Sequence, residues 1–537
     1  MMDVWSWICE LPNSNLWTDS ESSPPVFELA SSGTENSTRS IQLRAEKTSG
    51  STIDSLVNFT VYLHGFNHVI TASPKILWVS DTCHLSSEKP FLPLVLQLLQ
   101  ETVSRSPTAH YSTTPCPRSQ LQKLKPDVVS WIMDSHSPES FSSFFSLVLL
   151  TRLFWLCACD APTEVGSLYF RALLAPNIET VVSSKNSRAL RAFFATVGVD
   201  AELRFMRTVG YMLAKWCILK EVGVGLQMLT PLTTWSEKNN NLGFSYATEA
   251  HGFWTLKGYA PIAGMKLTSG SARNIQFPVL KYVLAHQQLE AVIQFEYTVG
   301  FYEGLIQVNA RVDNLRLHVT KLGYNKDNDD DDVELGEERH FPSRIRVWVG
   351  PEVGANYVAG LSLGRSSEKH GEREVETHSI VKGSFGISKM LSPKVKATSR
   401  TLRRTRQRSW RWDQDAEGNA AVFDAVLCDG ATGSEVATWK PSTGGDDHGG
   451  FRDRYNGTDR VFTKSGGLVL AGDDYGEEVG WRLSKEMEGS VLKWRIGGKV
   501  WVSYWPNEVN SSYFETRCVE WCDEVDLPLI PPKLLSF

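Results

Sequence analysis

Residues 409–439 read SWRWDQDAEGNAAVFDAVLCDGATGSEVATW. Ala421, Phe423, Ala425 and Leu427 alternate onto one face of an extended segment, and Val422, Asp424, Val426 and Cys428 onto the other. Both sets are largely apolar, so a strand covered on two sides is expected rather than one with a wet face. Asp429-Gly430-Ala431-Thr432-Gly433 then supplies residues that tolerate positive φ, and Ser434–Trp439 is expected to return as the paired strand. An ionised carboxylate inside such a sheet needs a partner. Arg411 is the partner nearest at hand, and a structural ion pair at Asp424 is favoured over a catalytic carboxylate.

A basic arm leads into this stretch. Lys394, Lys396, Arg400, Arg403, Arg404, Arg406, Arg408 and Arg411 occur without one acid between them, and Trp410 and Trp412 close the run. Arginine forks pair with phosphates, and an indole beside them can stack on a base or lie at a lipid headgroup. Arg403, Arg404, Arg406, Arg408, Trp410, Arg411 and Trp412 are therefore the candidate binding residues. An anionic surface, an import receptor and nucleic acid are all partners this chemistry suits. The plain alternative is a solvated loop offset by Asp413, Asp415 and Glu417. Phosphorylation at Ser399, Thr401 or Thr405 would weaken the arm.

With 537 residues, 42% hydrophobic and 22% charged, the chain has room for two or three domains and a sizeable core. A net charge of −6 excludes a wholesale electrostatic commitment to nucleic acid, while leaving room for a local patch. The start, MMDVWSWICELPNSN, lacks the basic and apolar regions of a secretory signal, and nine scattered cysteines fit reduced thiols. A cytoplasmic or nuclear protein is expected. Cys157/Cys159 and Cys518/Cys522 lack the spacing of a zinc site. Phe141–Cys159 is greasy enough to suggest a membrane span, but Arg152 sits inside it, and Ser137-Pro138 reads as a helix cap. A core helix is expected, and no transmembrane span.

Residues 1–89 read as an N-terminal segment with a Ser/Pro-rich mobile stretch over 12–55 and strands near Ile41, Val57 and Ile76. From 90 to 232 the period is helical, with helices over 120–133, 140–159, 164–174 and 187–197, and a long one from Asp200, as cap, to Val222. From 233 to 537 strands dominate, separated by glycine turns, with mobile loops expected near 325–339 and 392–407. The fold class expected is α+β, a helical domain followed by a predominantly antiparallel, sandwich-like β-domain.

The segments RHFPSRIRVWVGPEVGANYVAGLSLGRS (339–366) and WRWDQDAEGNAAVFDAVLCDG (410–430), with the MDVWSWICELPNS start, resemble a widespread land-plant protein family of unknown function. The resemblance spans nearly the whole chain and implies a plant source; it carries no activity, ligand or catalytic residue.

Other candidate chemistry is thin. Gly360-Leu-Ser362-Leu-Gly364 matches a hydrolase elbow, but the polar Arg365-Ser-Ser-Glu-Lys-His370 follows where a helix is required, so glycine bulges in a strand are expected. Asp327, Asp329, Asp331 and Glu338 fall at calcium-loop spacing, with Asp332 where the turn needs glycine. Asp446, Asp447 and His448 sit among glycines that leave them unfixed. His64 and His68, about 13 Å apart along a strand, cannot share a metal. Gly223-Val-Gly225 lacks the third glycine of a phosphate cradle. No cofactor or metal site is expected. The function expected is non-catalytic: an intracellular binding or scaffolding protein for an unknown protein partner, engaging an anionic surface through its arm. The alternatives are an enzyme with a pocket between helices and sheet, using Asp424, Ser362 or His448, and a nuclear nucleic-acid-associated protein.

Overall fold

Ser137 caps the longest apolar helix: its hydroxyl accepts from Ser140 N at 3.3 Å, and Pro138 follows where no N–H is needed. The structure, a computed structural model, describes residues 3–11, 24–32, 39–48, 56–66, 76–109, 123–183, 187–222, 243–263, 286–323, 339–364, 372–384, 396–408, 410–428, 435, 467–471, 478–505 and 517–531. The chain is α+β, with helices in its N-terminal and central part and large antiparallel sheets.

Helix α1 (Val4–Glu10) precedes strands β1 (Val26–Ser31), β2 (Ser40–Thr48), β3 (Leu56–His64), β4 (Ile76–Val79) and β5 (Cys83–His84). These strands form a sheet of their own, ordered β1-β2-β3-β4 with β5 beside β3. The mobile stretch expected over 12–55 is corrected in part: Val26–Ser31 and Ser40–Thr48 alternate well enough to pair, and they do. Seven helices follow: α2 (Leu92–Ser104), α3 (Pro126–Ser135), α4 (Pro138–Phe154), α5 (Thr163–Leu168), α6 (Ala175–Ser183), α7 (Arg188–Val197) and α8 (Val199–Val222). Wider π turns prolong α4 over Trp155–Asp160 and α5 over Tyr169–Leu174. Helix α8 begins one residue before the expected cap, so Asp200 and Glu202 both lie in its first turn. The N-terminal sheet and the helices share one core, in which Trp5 meets Phe141 at 4.7 Å and Phe145 at 4.8 Å.

The rest is sheet. In chain order come β6 (Thr108–Ala109), β7 (Phe244–Ala250), β8 (Phe253–Ala263), β9 (His286–Tyr302), β10 (Leu305–Gly323), β11 (Arg339–Pro351) and β12 (Val358–Ser362). Then follow β13 (Glu372–Ser384), β14 (Lys396–Arg408), β15 (Trp410–Glu417), β16 (Ala420–Leu427), β17 (Gly467–Ala471), β18 (Val479–Ser484), β19 (Val491–Trp505) and β20 (Arg517–Pro528). One sheet runs β12-β18-β10-β9-β8-β7, with β6 and β17 also on β10; a second runs β15-β16-β11-β19-β20. The two pack face to face. Leu256, Ile293 and Phe295 of the first meet Phe423, Val347 and Ile496 of the second in one core. Trp254 stacks on Trp494 at 5.4 Å, and Trp481 meets Trp494 edge-on at 4.7 Å, so several tryptophans are core anchors. Gly258 lets the Trp521 ring lie against β8, where an added Cβ would come within 2.6 Å of it.

Strand β16 is buried on both faces, apart from half-buried Asp424. Its partners differ from the expected ones. It pairs with β15, through a two-residue Gly418-Asn419 loop in which Gly418 holds φ at 64°, and on its other edge with β11. Glycine at the first loop position suits a primed hairpin turn. Of the expected return strand, the described residue Glu435 makes a single bridge to Cys428, and 429–434 and 436–439 lie outside the described residues. The loop expected over 392–407 is corrected too: Lys396–Arg408 is strand β14. Of the loop expected over 325–339, Arg339 opens β11 and the remainder lies outside the described residues.

Candidate functional site

The basic arm owes its shape to pairing with the segment before it. β13 and β14 form a two-stranded antiparallel sheet, and among the described residues neither shares a ladder with the three larger sheets. The register sets Glu372 opposite Arg408, Glu374 opposite Arg406 and Glu376 opposite Arg404. Arg403 and Arg400 stand opposite Thr377 and Ile380, with no acid across from them. Lys394 lies outside the described residues.

The aromatic end of the arm is not a surface platform. Trp410 and Trp412 are 5% and 6% exposed and belong to the sandwich core on β15. In β15, alternate residues face the core, and the two indoles take those positions. Arg411, between them, is exposed; its guanidinium donates to Glu435 at 3.0 Å and sits 3.4 Å from Asp413. Of the seven candidate binding residues, the structure therefore keeps four arginines on one strand and removes both tryptophans to the interior.

Arg411 is also not the partner of Asp424. Arg344 Nε donates to Asp424 Oδ1 at 3.0 Å, Arg344 Nη2 to Oδ2 at 2.5 Å, and Arg346 Nη2 to Oδ2 at 3.0 Å. Both arginines lie on β11, which is hydrogen-bonded to β16. Burial works to raise the Asp424 pKa, but the donations from Arg344 and Arg346 outweigh it and hold the carboxyl below its ordinary 3.8. The ion pair expected at Asp424 is therefore present, with Arg344 and Arg346 in the place of Arg411.

Ser362 sits at the end of edge strand β12, where its hydroxyl donates to the Gly480 carbonyl at 3.3 Å. The ladder shifts between Val358 and Gly360, as glycines bulging a strand produce. Ser362 and Asp424 lie in different sheets. His448 of the enzyme alternative lies outside the described residues, as do Asp327–Asp332, Glu338, Asp446, Asp447, His68, His370 and Gly223–Gly225. His64 is exposed at the end of β3.

Between helices and sheet there is a cleft, where the enzyme alternative placed its pocket. Lined by Leu190, Phe194, Met206, Phe244, Tyr246 and Tyr259, it offers about 10 Å3, room for one water molecule. Beside it the carboxylate of Glu202, 1% exposed, accepts from Tyr246 Oη at 2.5 Å, Tyr259 Oη at 2.6 Å and Lys257 Nζ at 2.8 Å. Burial first, then the Glu202 charge, push both phenols far up, so they stay protonated donors. Sequence reading missed this group because its members come from α8, β7 and β8. The only local signal was an acid in the first turn of a helix. Arg207 adds a second tie, donating to Glu290 at 2.8 and 3.2 Å. These contacts fasten the helices to the sheet.

Cys157 is buried, Cys159 half-buried, and Cys518 and Cys522 exposed; all four are free thiols. Segment Pro138–Asp160 is long and apolar enough to cross a membrane by composition, yet 83% of its most apolar window is buried inside the protein. Arg152 within it donates through Nε to Glu101 at 2.5 Å.

No family model matches the chain, and no curated protein matches it. Among solved structures it is similar to Clostridium perfringens delta-toxin, at 11% identity and a TM-score of 0.23, over 53% of this chain and 96% of that one. It is also similar to the Clostridium perfringens NetB toxin in its membrane-inserted form, at 10% identity and a TM-score of 0.18, over 52% of this chain and 92% of that one. Superpositions this loose carry no argument about function.

Proposed function

We propose that this chain is a non-catalytic intracellular binding or scaffolding protein whose basic ribbon, β13 and β14, engages an anionic surface. The observation that carries the reading is the pairing of Lys396–Arg408 into a ribbon with no ladder to the larger sheets among the described residues. A strand of this length holds its cations at fixed intervals over about 43 Å. A mobile loop would have to lose that freedom on binding; a ribbon has lost much of it already. Each cation brought to an anionic membrane surface contributes about 1 kcal/mol.

Burial of Trp410 and Trp412 weighs against the nucleic-acid alternative, because it withdraws the rings on which unpaired bases would stack. The described cysteines are free thiols, in keeping with a reducing compartment. The test is co-sedimentation of the purified chain with vesicles containing phosphatidylserine and with phosphatidylcholine vesicles alone. The chain is expected to pellet with the first and not the second, and Arg403, Arg404, Arg406 and Arg408 replaced together by Ala should abolish it. Equal pelleting by that variant refutes the reading.

A further inference from the structure

The sandwich has two unlike ends. Asn419 Nδ2, in the turn between β15 and β16, donates to the Ala355 carbonyl at 3.3 Å, and Trp481 Nε1 donates to the Asn419 carbonyl at 2.7 Å. Ser484 N donates to the Tyr357 carbonyl, and Gly489 N to the Leu529 carbonyl. In the ladders Leu305 lies opposite Ser484, and Val491 opposite Pro528. The connections β9–β10, β11–β12, β15–β16 and β18–β19 and the end of β20 therefore gather at one end of the two sheets. With strands about 4.8 Å apart, the five strands of the second sheet span about 20 Å there. Tyr302, Val353, Val491 and Ile530 are exposed at this end. So are Glu303, Glu352, Glu417, Glu486 and Glu488. Lys485, the one cation in these connections among the described residues, is paired with Glu488 at 2.8 Å, and Glu417 with Arg346 at 3.0 Å. Glu303, Glu352 and Glu486 enter no ion pair among the described residues.

The ribbon leaves from the opposite end. β12 runs away from the glutamates to Ser362, and β15 runs towards them from Trp410 to Glu417, about 23 Å. Only Ser409 separates Arg408 from Trp410, so Arg408 stays within about 7 Å of the far end. A second copy can present the whole basic strand to the glutamates where their own chain cannot. Strand β14 carries Lys396, Arg400, Arg403, Arg404, Arg406 and Arg408 without an acid. Guanidinium heads pair with carboxylates and lie over a phenol ring, while their alkyl stems pack on apolar side chains. Glutamates set around Tyr302, Val353 and Val491 offer both kinds of contact. We infer that the acidic end binds strand β14 of a second copy of this chain, head to tail. The inference goes beyond the anionic-surface reading, with which it shares only the ribbon. The two surfaces differ, so the contact can repeat from copy to copy.

Sedimentation velocity of the full chain over a concentration series at low salt tests this with four samples. They are wild type, an acid variant (Glu303→Gln, Glu352→Gln and Glu486→Gln), a basic-strand variant (Arg403→Ala, Arg404→Ala, Arg406→Ala and Arg408→Ala), and an equal mixture of the two variants. Wild type should form assemblies that grow with concentration. Each variant alone should associate at least about tenfold more weakly. The mixture should form one-to-one pairs, because the acid variant supplies an intact strand and the basic-strand variant an intact acidic end. Wild type that stays monomeric, an acid variant that associates like wild type, or a mixture no tighter than its components overturns the inference. Pelleting of the acid variant with phosphatidylserine vesicles tests the anionic-surface reading separately, since its ribbon is intact.

Discussion

Asp424 and Glu202 are carboxylates whose hydrogen-bonding needs the chain meets by different means. Asp424 keeps 15% of its side chain exposed and shares two guanidinium groups, one of which also lies 5.0 Å from the Trp501 ring. Replacing it by Asn removes charge-assisted bonds and should cost about 1.5–3 kcal/mol in urea unfolding. Its folded pKa lies below the unfolded value, so its contribution is fully present above about pH 4 and is lost as pH falls through the folded pKa. The Asn variant should accordingly show a shallower fall in stability below that pH than wild type; parallel pH curves would contradict the pairing. Glu202 is nearly inaccessible and anchors two phenols and an ammonium at once. Glu202→Ala leaves Lys257 without that partner, and the expected cost, about 3–5 kcal/mol, exceeds that at Asp424. A Tm drop no larger than that of Asp424→Asn would show that the cluster is not the tie we describe.

Among the strands, local pattern carried the reading where apolar residues alternate and failed where something else closes the ladder. Strand β16 was legible from its own residues, because both faces are apolar. Strand β14 was not: Leu402 and Ala397 are its only apolar residues, and its partner β13 lies earlier in the chain. Strand β20 alternates Val519, Trp521, Val525 and Leu527, but Asp523 interrupts the apolar series. That carboxylate is satisfied by Arg191 at 2.9 Å and by the Ala247 N–H at 2.7 Å, neither visible from the strand itself. Glycines mark close approaches in the same way. A Cβ on Gly497 of β19 would stand 2.1 Å from the Trp348 ring that crosses it from β11. Gly497→Val should therefore displace that ring and cost about 1–3 kcal/mol, read as a lower urea midpoint with an unchanged slope. An unshifted midpoint would mean the ring is free to leave.

Across the molecule, two cores meet along α8. The first joins the N-terminal sheet to the helices, and the second fills the sandwich. Sequence period alone separated the helical part from the sheet part, but the ties between them lie in single polar residues on remote elements, which no periodicity reveals. Replacing Glu202, Arg207 and Arg191 together by Ala removes three of the polar ties, so unfolding monitored by different probes should separate further than in wild type. Probe curves that stay as close together as in wild type would mean that these ties do not couple the halves. The candidate site was half legible in the same sense. The run of arginines was plain, while its strand form needed the pairing with β13. The most direct test of a basic ribbon on an anionic surface is the affinity of the intact chain for phosphatidylserine vesicles across a salt series. Affinity should fall steeply as ionic strength rises, since screening shortens the reach of each arginine. Binding that is flat with salt, or missing at the lowest salt, would contradict it.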